Sequence, residues 1–292
     1  MPQSQTTKGY LITVAGVLAI TPDSLLARLT DVDPFTLIVG RGVLGSIVML
    51  IVCLALFRGN FWATSKALGA WGLFAALAHA SSNFSFLTAL MTTSVANVLV
   101  IVATTPLLAA FFAWLFMRET VKLGTWLAIA GCFAGVIIVV SGSLGQGSLV
   151  GDLVAISAAM FLAIYLTIVR KLQGQNIMPA TALGMIIGAI VAAPFAAFPQ
   201  MSEMQWLWMV LGGAVVIPLA SALLAIGPRY IPSPEAAMLM TLETILGPLW
   251  VWMVLREEPG EQTLLGGALI ITVLMVHAIY RMRTSGRRNE VE

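Results

Sequence analysis

Charge is scarce in this 292-residue chain: Asp, Glu, Lys and Arg together make up 10% of it, against about a quarter in soluble domains. That scarcity excludes a water-solvated globular surface, and with it the basic face that nucleic-acid binding requires. Cysteine is nearly absent. Cys53 and Cys132 each sit inside an apolar run with no CxxC or Cys/His neighbourhood, which excludes a disulfide framework and a Cys/His metal centre and leaves inert packing as their role. No Walker loop, GxSxG, HExxH or dinucleotide fingerprint occurs. The chain is therefore expected to be neither an enzyme nor an ATP-driven pump, and to need no cofactor or metal.

What is present is apolar sequence: hydrophobic residues reach 59% and mean hydropathy is +0.97. A bilayer core about 30 Å thick needs roughly 20 apolar residues per helix. Ten runs meet that need, near 9–27, 35–57, 68–90, 95–117, 123–141, 151–169, 180–198, 206–227, 235–255 and 263–280. The links between them are short and carry Pro, Gly or charge, too short for an extramembrane domain. The N-terminal stretch lacks a small-residue cleavage pattern, so the first run reads as a retained helix and not as a removable signal.

The basic residues orient the bundle. With the N-terminus in the cytoplasm, Lys8, Arg58, Lys66, Arg118, Lys122, Arg170, Lys171, Arg229 and the four arginines of 281–288 all fall inside; only Arg28 and Arg256 fall outside, and Arg41 lies within a span. The positive-inside rule selects this arrangement, with both termini cytoplasmic and, for a bacterial protein, the inner membrane as the location.

The tail of the fourth run, Trp114, Arg118 and Glu119, recurs 138 residues later as Trp252, Arg256 and Glu257. A second register, offset by 142, relates Gly9, Leu11 and Arg28 to Gly151, Leu153 and Arg170. A repeat unit of five spans must flip when it repeats, because five is odd. The fold class is thus all-α: a polytopic membrane protein of ten transmembrane helices in two inverted five-helix repeats, 1–145 and 146–282, with a basic cytoplasmic tail over 283–292. Inverted repeats characterise secondary transporters, whose site lies near the bilayer midplane between the halves.

The stretches FLTALMTTSVANVLVIVATTPLLAAFFAWLFMRE and AIGPRYIPSPEAAMLMTLETILGPLWVWMVLREE resemble the EamA repeat of the drug/metabolite transporter superfamily. In that pattern a Pro-containing helix ends in Glu thirteen residues after the Pro, and a Gly follows about nine residues on; Pro106 and Glu119 fit the first copy, where Ala128 replaces the Gly. In the second, Glu257 and Gly266 fit and Leu242-Glu243 resembles the usual Leu-Glu-Pro, with Thr244 in place of the Pro. GDLVAISAAMFLAIYLTIVRKL resembles the opening of the second repeat, and the likeness covers about residues 8–282. The resemblance implies export of amino acids or other small metabolites, and the overall character is nearest to exporters of aromatic amino acids.

Polar groups at hydrocarbon depth are costly unless partnered, so each is a functional candidate. His79, Ser82, Asn83 and Phe86 share one helical stripe. His79 can hydrogen-bond substrate or move a proton, Asn83 offers two donors and an acceptor, and either can instead join helices. Glu243 lies eight residues into its span, where a carboxylate pairs with a substrate ammonium, exchanges a proton or bonds a neighbouring helix. The substrate contacts expected are His79, Asn83, Asn97, Tyr165, Glu243 and Trp250, in a cavity bounded by helices 1, 3, 4, 6, 8 and 9. Asp23 and Arg41 are expected to form a gating or structural ion pair. Pro22, Pro106, Pro194, Pro218 and Pro248 lie inside spans as candidate flexible points, and Gly212-Gly213 and Gly266-Gly267 permit close helix contact.

The partners expected are a small-molecule substrate and the lipid bilayer, with no nucleic acid; oligomeric state leaves no sequence signal. A competing cargo is a cationic drug, which Glu243 would suit; phosphorylated sugars are disfavoured by the single intramembrane arginine, Arg41. A non-transporting scaffold would need a polar domain that the sequence does not contain.

Overall fold

The computed structural model describes residues 3–57, 61–118, 120–121, 123–143, 148–172, 175–226, 230 and 233–289. Arg58, Glu119, Lys122 and Arg229, used in orienting and repeating the sequence, lie outside the described residues, as do the side chains from 281 onward. Fourteen helices are described, α1 (Gln3–Ile20), α2 (Asp23–Thr30), α3 (Pro34–Phe57), α4 (Phe61–Ala67), α5 (Gly69–Thr92), α6 (Val95–Val102), α7 (Thr105–Met117), α8 (Leu123–Gly142), α9 (Leu149–Lys171), α10 (Met178–Ala192), α11 (Glu203–Val210), α12 (Ile217–Ile226), α13 (Ser233–Leu255) and α14 (Glu261–Asn289).

Among the described residues nine stretches are long and apolar enough to cross a membrane, and a shorter tenth, Leu242–Leu255, lies in α13. The spans are α1 with α2, α3, α5, α6 with α7, α8, α9, α10, α11 with α12, α13 and α14. Within the link after the second span, FWATSKA forms the short α4.

The packing repeats with a two-fold pattern. α3 packs on α10 and α8 on α14, so spans 2 and 7, and spans 5 and 10, meet their own counterparts. The α1·α12 contact is matched by α5·α9, and α7·α9 by α1·α13. Exchanging the halves maps these contacts onto themselves or onto one another, as a pseudo-two-fold axis in the membrane plane requires. The repeated arginines behave alike: Arg118 and Arg256 end their spans in the left-handed region, at φ 54° and 59°. Trp114 and Trp252 are equally exposed at 42%, facing the bilayer.

The prolines act differently from one another. Pro22 lacks the N–H that would reach the Leu18 carbonyl, and Thr21 Oγ1 donates to that carbonyl at 3.0 Å. Pro106 frees the Val102 carbonyl in the same way, and Thr105 Oγ1 donates to it at 2.5 Å. A threonine immediately before each proline thus satisfies the orphaned acceptor, and spans 1 and 4 break there into two helices each. Before Pro218 the backbone widens into a π-helical segment, Leu211–Val216. Pro194 sits in the 3-10 turn that ends span 7, whereas α13 runs through Pro248 without interruption.

Candidate functional site

The structure gathers the predicted polar residues into three places. At the first, α5 supplies His79 and Asn83, α9 supplies Tyr165 and α10 supplies Thr181. Asn83 Nδ2 lies 3.3 Å from His79 Nε2, Tyr165 Oη lies 2.8 Å from Thr181 Oγ1, and the Tyr165 ring meets the imidazole edge-on with centroids 5.2 Å apart. With Asn83 as donor, Nε2 accepts and the ring proton sits on Nδ1. That nitrogen is buried and has no partner. Ser82 leaves the stripe to donate to the Ala158 carbonyl at 3.2 Å, which ties α5 to α9, and Phe86 packs against the core.

Gly184 on α10 sets how close this cluster lies to the second repeat: a Cβ there would fall 2.6 Å from the Ala76 carbonyl and 3.0 Å from His79 Nδ1. Gly184→Ala is therefore expected to push α10 off α5, lowering stability by about 1–3 kcal/mol. A melting-temperature drop in detergent-purified protein checks it; an unchanged melt would mean the helices part without cost.

At the second place Arg41 and Asp23 form the predicted ion pair, Arg41 Nη2 donating to Asp23 Oδ1, with both residues buried. Arg41 packs on the π-helical segment, where a Cβ on Gly212 would lie 2.5 Å from Nη2 and one on Gly213 would lie 3.1 Å from the Arg41 Cα. The widened turn and paired glycines make room for a guanidinium between spans 2 and 8. Glu243 of α13 lies within repulsive electrostatic range of Asp23. Trp250, two turns further along the same face of α13, donates its indole N–H to Thr21 Oγ1 at 3.1 Å, beside the span-1 break.

Asn97, also expected among the substrate contacts, belongs to neither group. It is 6% exposed, and its Nδ2 donates to Ser143 Oγ at 3.1 Å and to both Asp152 oxygens at 3.1 and 3.2 Å, while Thr263 donates to its Oδ1. Its amide is occupied in joining helices. The sequence reading did not single out Asp152, a carboxyl inside an apolar run; the rule that marks intramembrane ionisable groups applies to it equally.

An apolar cavity of about 420 Å³ lies between α7, α8 and α9, walled by residues such as Leu108, Phe112, Phe133, Val136 and Met160. Neither His79 nor Glu243 lines it. It offers no hydrogen-bonding chemistry, so the polar residues at the seam remain the candidate site. Among the described residues no three His, Cys, Asp or Glu side chains come together to hold a metal ion.

Among the described residues nine membrane-length apolar stretches and a shorter tenth, packed as two related sets of five, define a polytopic membrane protein. The chain belongs to the EamA-like transporter family, whose pattern matches residues 7–141 and again 149–278. It is 31% identical over 195 residues to a riboflavin transporter of Vibrio cholerae serotype O1 (strain ATCC 39315 / El Tor Inaba N16961), an alignment covering 64% of this chain and 63% of that one. The match thus spans less than two thirds of the relative. A crystal structure of another protein superposes with TM-score 0.67 and 18% identity, over 94% of this chain and 98% of that chain; that likeness shows the fold.

Proposed function

We propose that this transporter exports a zwitterionic aromatic metabolite, an aromatic amino acid, across the bacterial inner membrane by alternating access, with both chain ends cytoplasmic. The observation that carries this reading is the convergence of His79, Asn83 and Tyr165 from two spans, with a buried imidazole nitrogen left without a partner. His79 and Asn83 supply neutral donors for a carboxylate, and Tyr165 supplies an aromatic edge. Glu243 supplies the anion for an ammonium group, and Trp250 a second aromatic surface. The Asp23–Arg41 pair holds spans 1 and 2 together.

A second reading, transport of riboflavin, is favoured by the Vibrio cholerae relative. The two differ in charge: riboflavin's ring system is neutral, so its binding does not need Glu243. A thermal-shift panel on purified protein separates them, because a ligand stabilises the state it fits. Phenylalanine, tyrosine or tryptophan is expected to raise the melting temperature of the parent but not of His79→Ala or Glu243→Gln. A shift with riboflavin that survives Glu243→Gln, and none with amino acids, would replace the first reading by the second. Counterflow in proteoliposomes then reports the direction.

A further inference from the structure

The third polar group is a continuous network at the bundle end opposite the proposed cytoplasmic face. Asp152 in the first turn of α9 is fully buried, and its carboxylate accepts from Thr93 Oγ1 at 2.6 Å, Ser143 Oγ at 2.5 Å and Asn97 Nδ2. Four neutral hydrogen bonds and the N-terminal turn of α9 stabilise the charge without a cation. Thr93 extends the network through its backbone: its carbonyl accepts from Arg28 Nη2 at 2.8 Å. The same Arg28 nitrogen lies 3.3 Å from Glu257 Oε2, and Glu257 Oε1 accepts the Val95 N–H at 2.8 Å.

These bonds are polarised between the halves. Both carboxylates, Asp152 and Glu257, come from the second repeat, and every donor to them, Arg28, Thr93, Val95, Asn97 and Ser143, comes from the first. Seven of the ten spans, 1, 3, 4, 5, 6, 9 and 10, meet here. Span 4 shows the consequence along its length. Its half near the network, α6, packs on α9, α13 and α14, whereas beyond the break at 103–104 α7 packs chiefly on α9 and α8.

We propose that Asp152 and Glu257 are the gate carboxylates of the outer face. On this assignment, which rests on the alternating-access reading, the structure is the outward-closed conformation. Withdrawal of Asp152 from Thr93, Asn97 and Ser143 is the step that admits the outward-open one. Thr93 couples the two carboxylates, because its hydroxyl serves Asp152 and its carbonyl holds the arginine that serves Glu257. A fully hydrogen-bonded buried carboxylate suits a two-position gate: the bonds are strong while dry and are replaced by water once the seam opens.

The test uses the full chain with Cys53→Ala and Cys132→Ala and one reporter, Ser24→Cys. Ser24 is 3% exposed on α2, with its hydroxyl 3.7 Å from where a Cβ on Gly247 of α13 would lie, inside the seam between the halves. A membrane-impermeant methanethiosulfonate is applied from the outer face of right-side-out vesicles. The parent is expected to label slowly. Asp152→Ala is expected to label roughly tenfold faster, and Arg28→Gln or Glu257→Gln, at partly exposed positions, roughly threefold faster. Should Asp152→Ala fail to yield monodisperse protein, the other two variants carry the result. Fast labelling of the parent, or folded variants that label no faster than the parent, would overturn the gate. The readout needs no substrate, so failure to find a transported amino acid removes the cargo assignment and leaves the labelling decisive for the gate.

Discussion

Arg41→Ala is expected to lower the unfolding free energy by about 3–5 kcal/mol, the cost of leaving one member of a buried ion pair without its partner. Asp23 would then hold a carboxylate at 8% exposure with no guanidinium beside it, close to the second acid Glu243. The glycines of the π-helical segment would face a void where the guanidinium was packed. Reversible unfolding in mixed micelles measures the loss. The double variant Asp23→Ala with Arg41→Ala is expected to recover more than half of it, because the uncompensated charge is then gone and the packing defect remains. A single-variant loss below about 1 kcal/mol would place the pair among solvated ones. A double variant no more stable than the single would assign the loss to packing alone.

Which parts of this arrangement the sequence disclosed follows from the range of the forces involved. Span count, repeat and flip depend on runs of apolar residues and on an odd number of crossings, both properties of the linear chain. The Asp23–Arg41 pair was also legible, since two opposite charges at similar depth in consecutive spans have few other partners. The π-helical segment was not: Gly212-Gly213 reads as a close-contact motif, and only the position of Arg41 shows what the contact is for. The bonding of Asn97 was not legible, because a lone amide in an apolar helix looks unpartnered until its neighbours are known. Those neighbours, Ser143, Asp152 and Thr263, are 46 to 166 residues away. Asp152 escaped notice for a related reason: at the opening of a span an acid resembles an interfacial residue, and hydrogen bonds from three other spans are invisible in one dimension. The breaks at Pro22 and Pro106 were anticipated from proline chemistry. The threonine before each, which satisfies the freed carbonyl, is a local signal that a sequence reading can use directly.

Gly266→Leu is expected to abolish recovery of folded protein, and Gly266→Ala to lower the melting temperature at a cost of about 1–3 kcal/mol. Helices in lipid gain little from burying apolar surface against one another, so their association depends on close van der Waals contact. The α8·α14 crossing is built on that contact. A Cβ on Gly266 would lie 2.6 Å from the Gly135 carbonyl oxygen and 2.6 Å from Val139 Cγ2. From the other side, a Cβ on Gly135 would lie 3.0 Å from the Gly266 carbonyl and 2.5 Å from Ile270 Cγ1. Two of these four obstacles are backbone, which cannot rotate away, so even a methyl group must separate the helices along their length. That separation would loosen Ile270 and Val139, both at 0% exposure, and would draw Thr263 at the start of α14 away from Asn97. The variant Gly260→Ala, just before α14, is the control: its Cβ would meet only Thr263 Oγ1, at 3.7 Å, and the melt should not move. Size-exclusion profiles and thermal melts of the three variants decide the matter. A monodisperse Gly266→Leu protein with the parent's melting temperature would show that spans 5 and 10 tolerate separation.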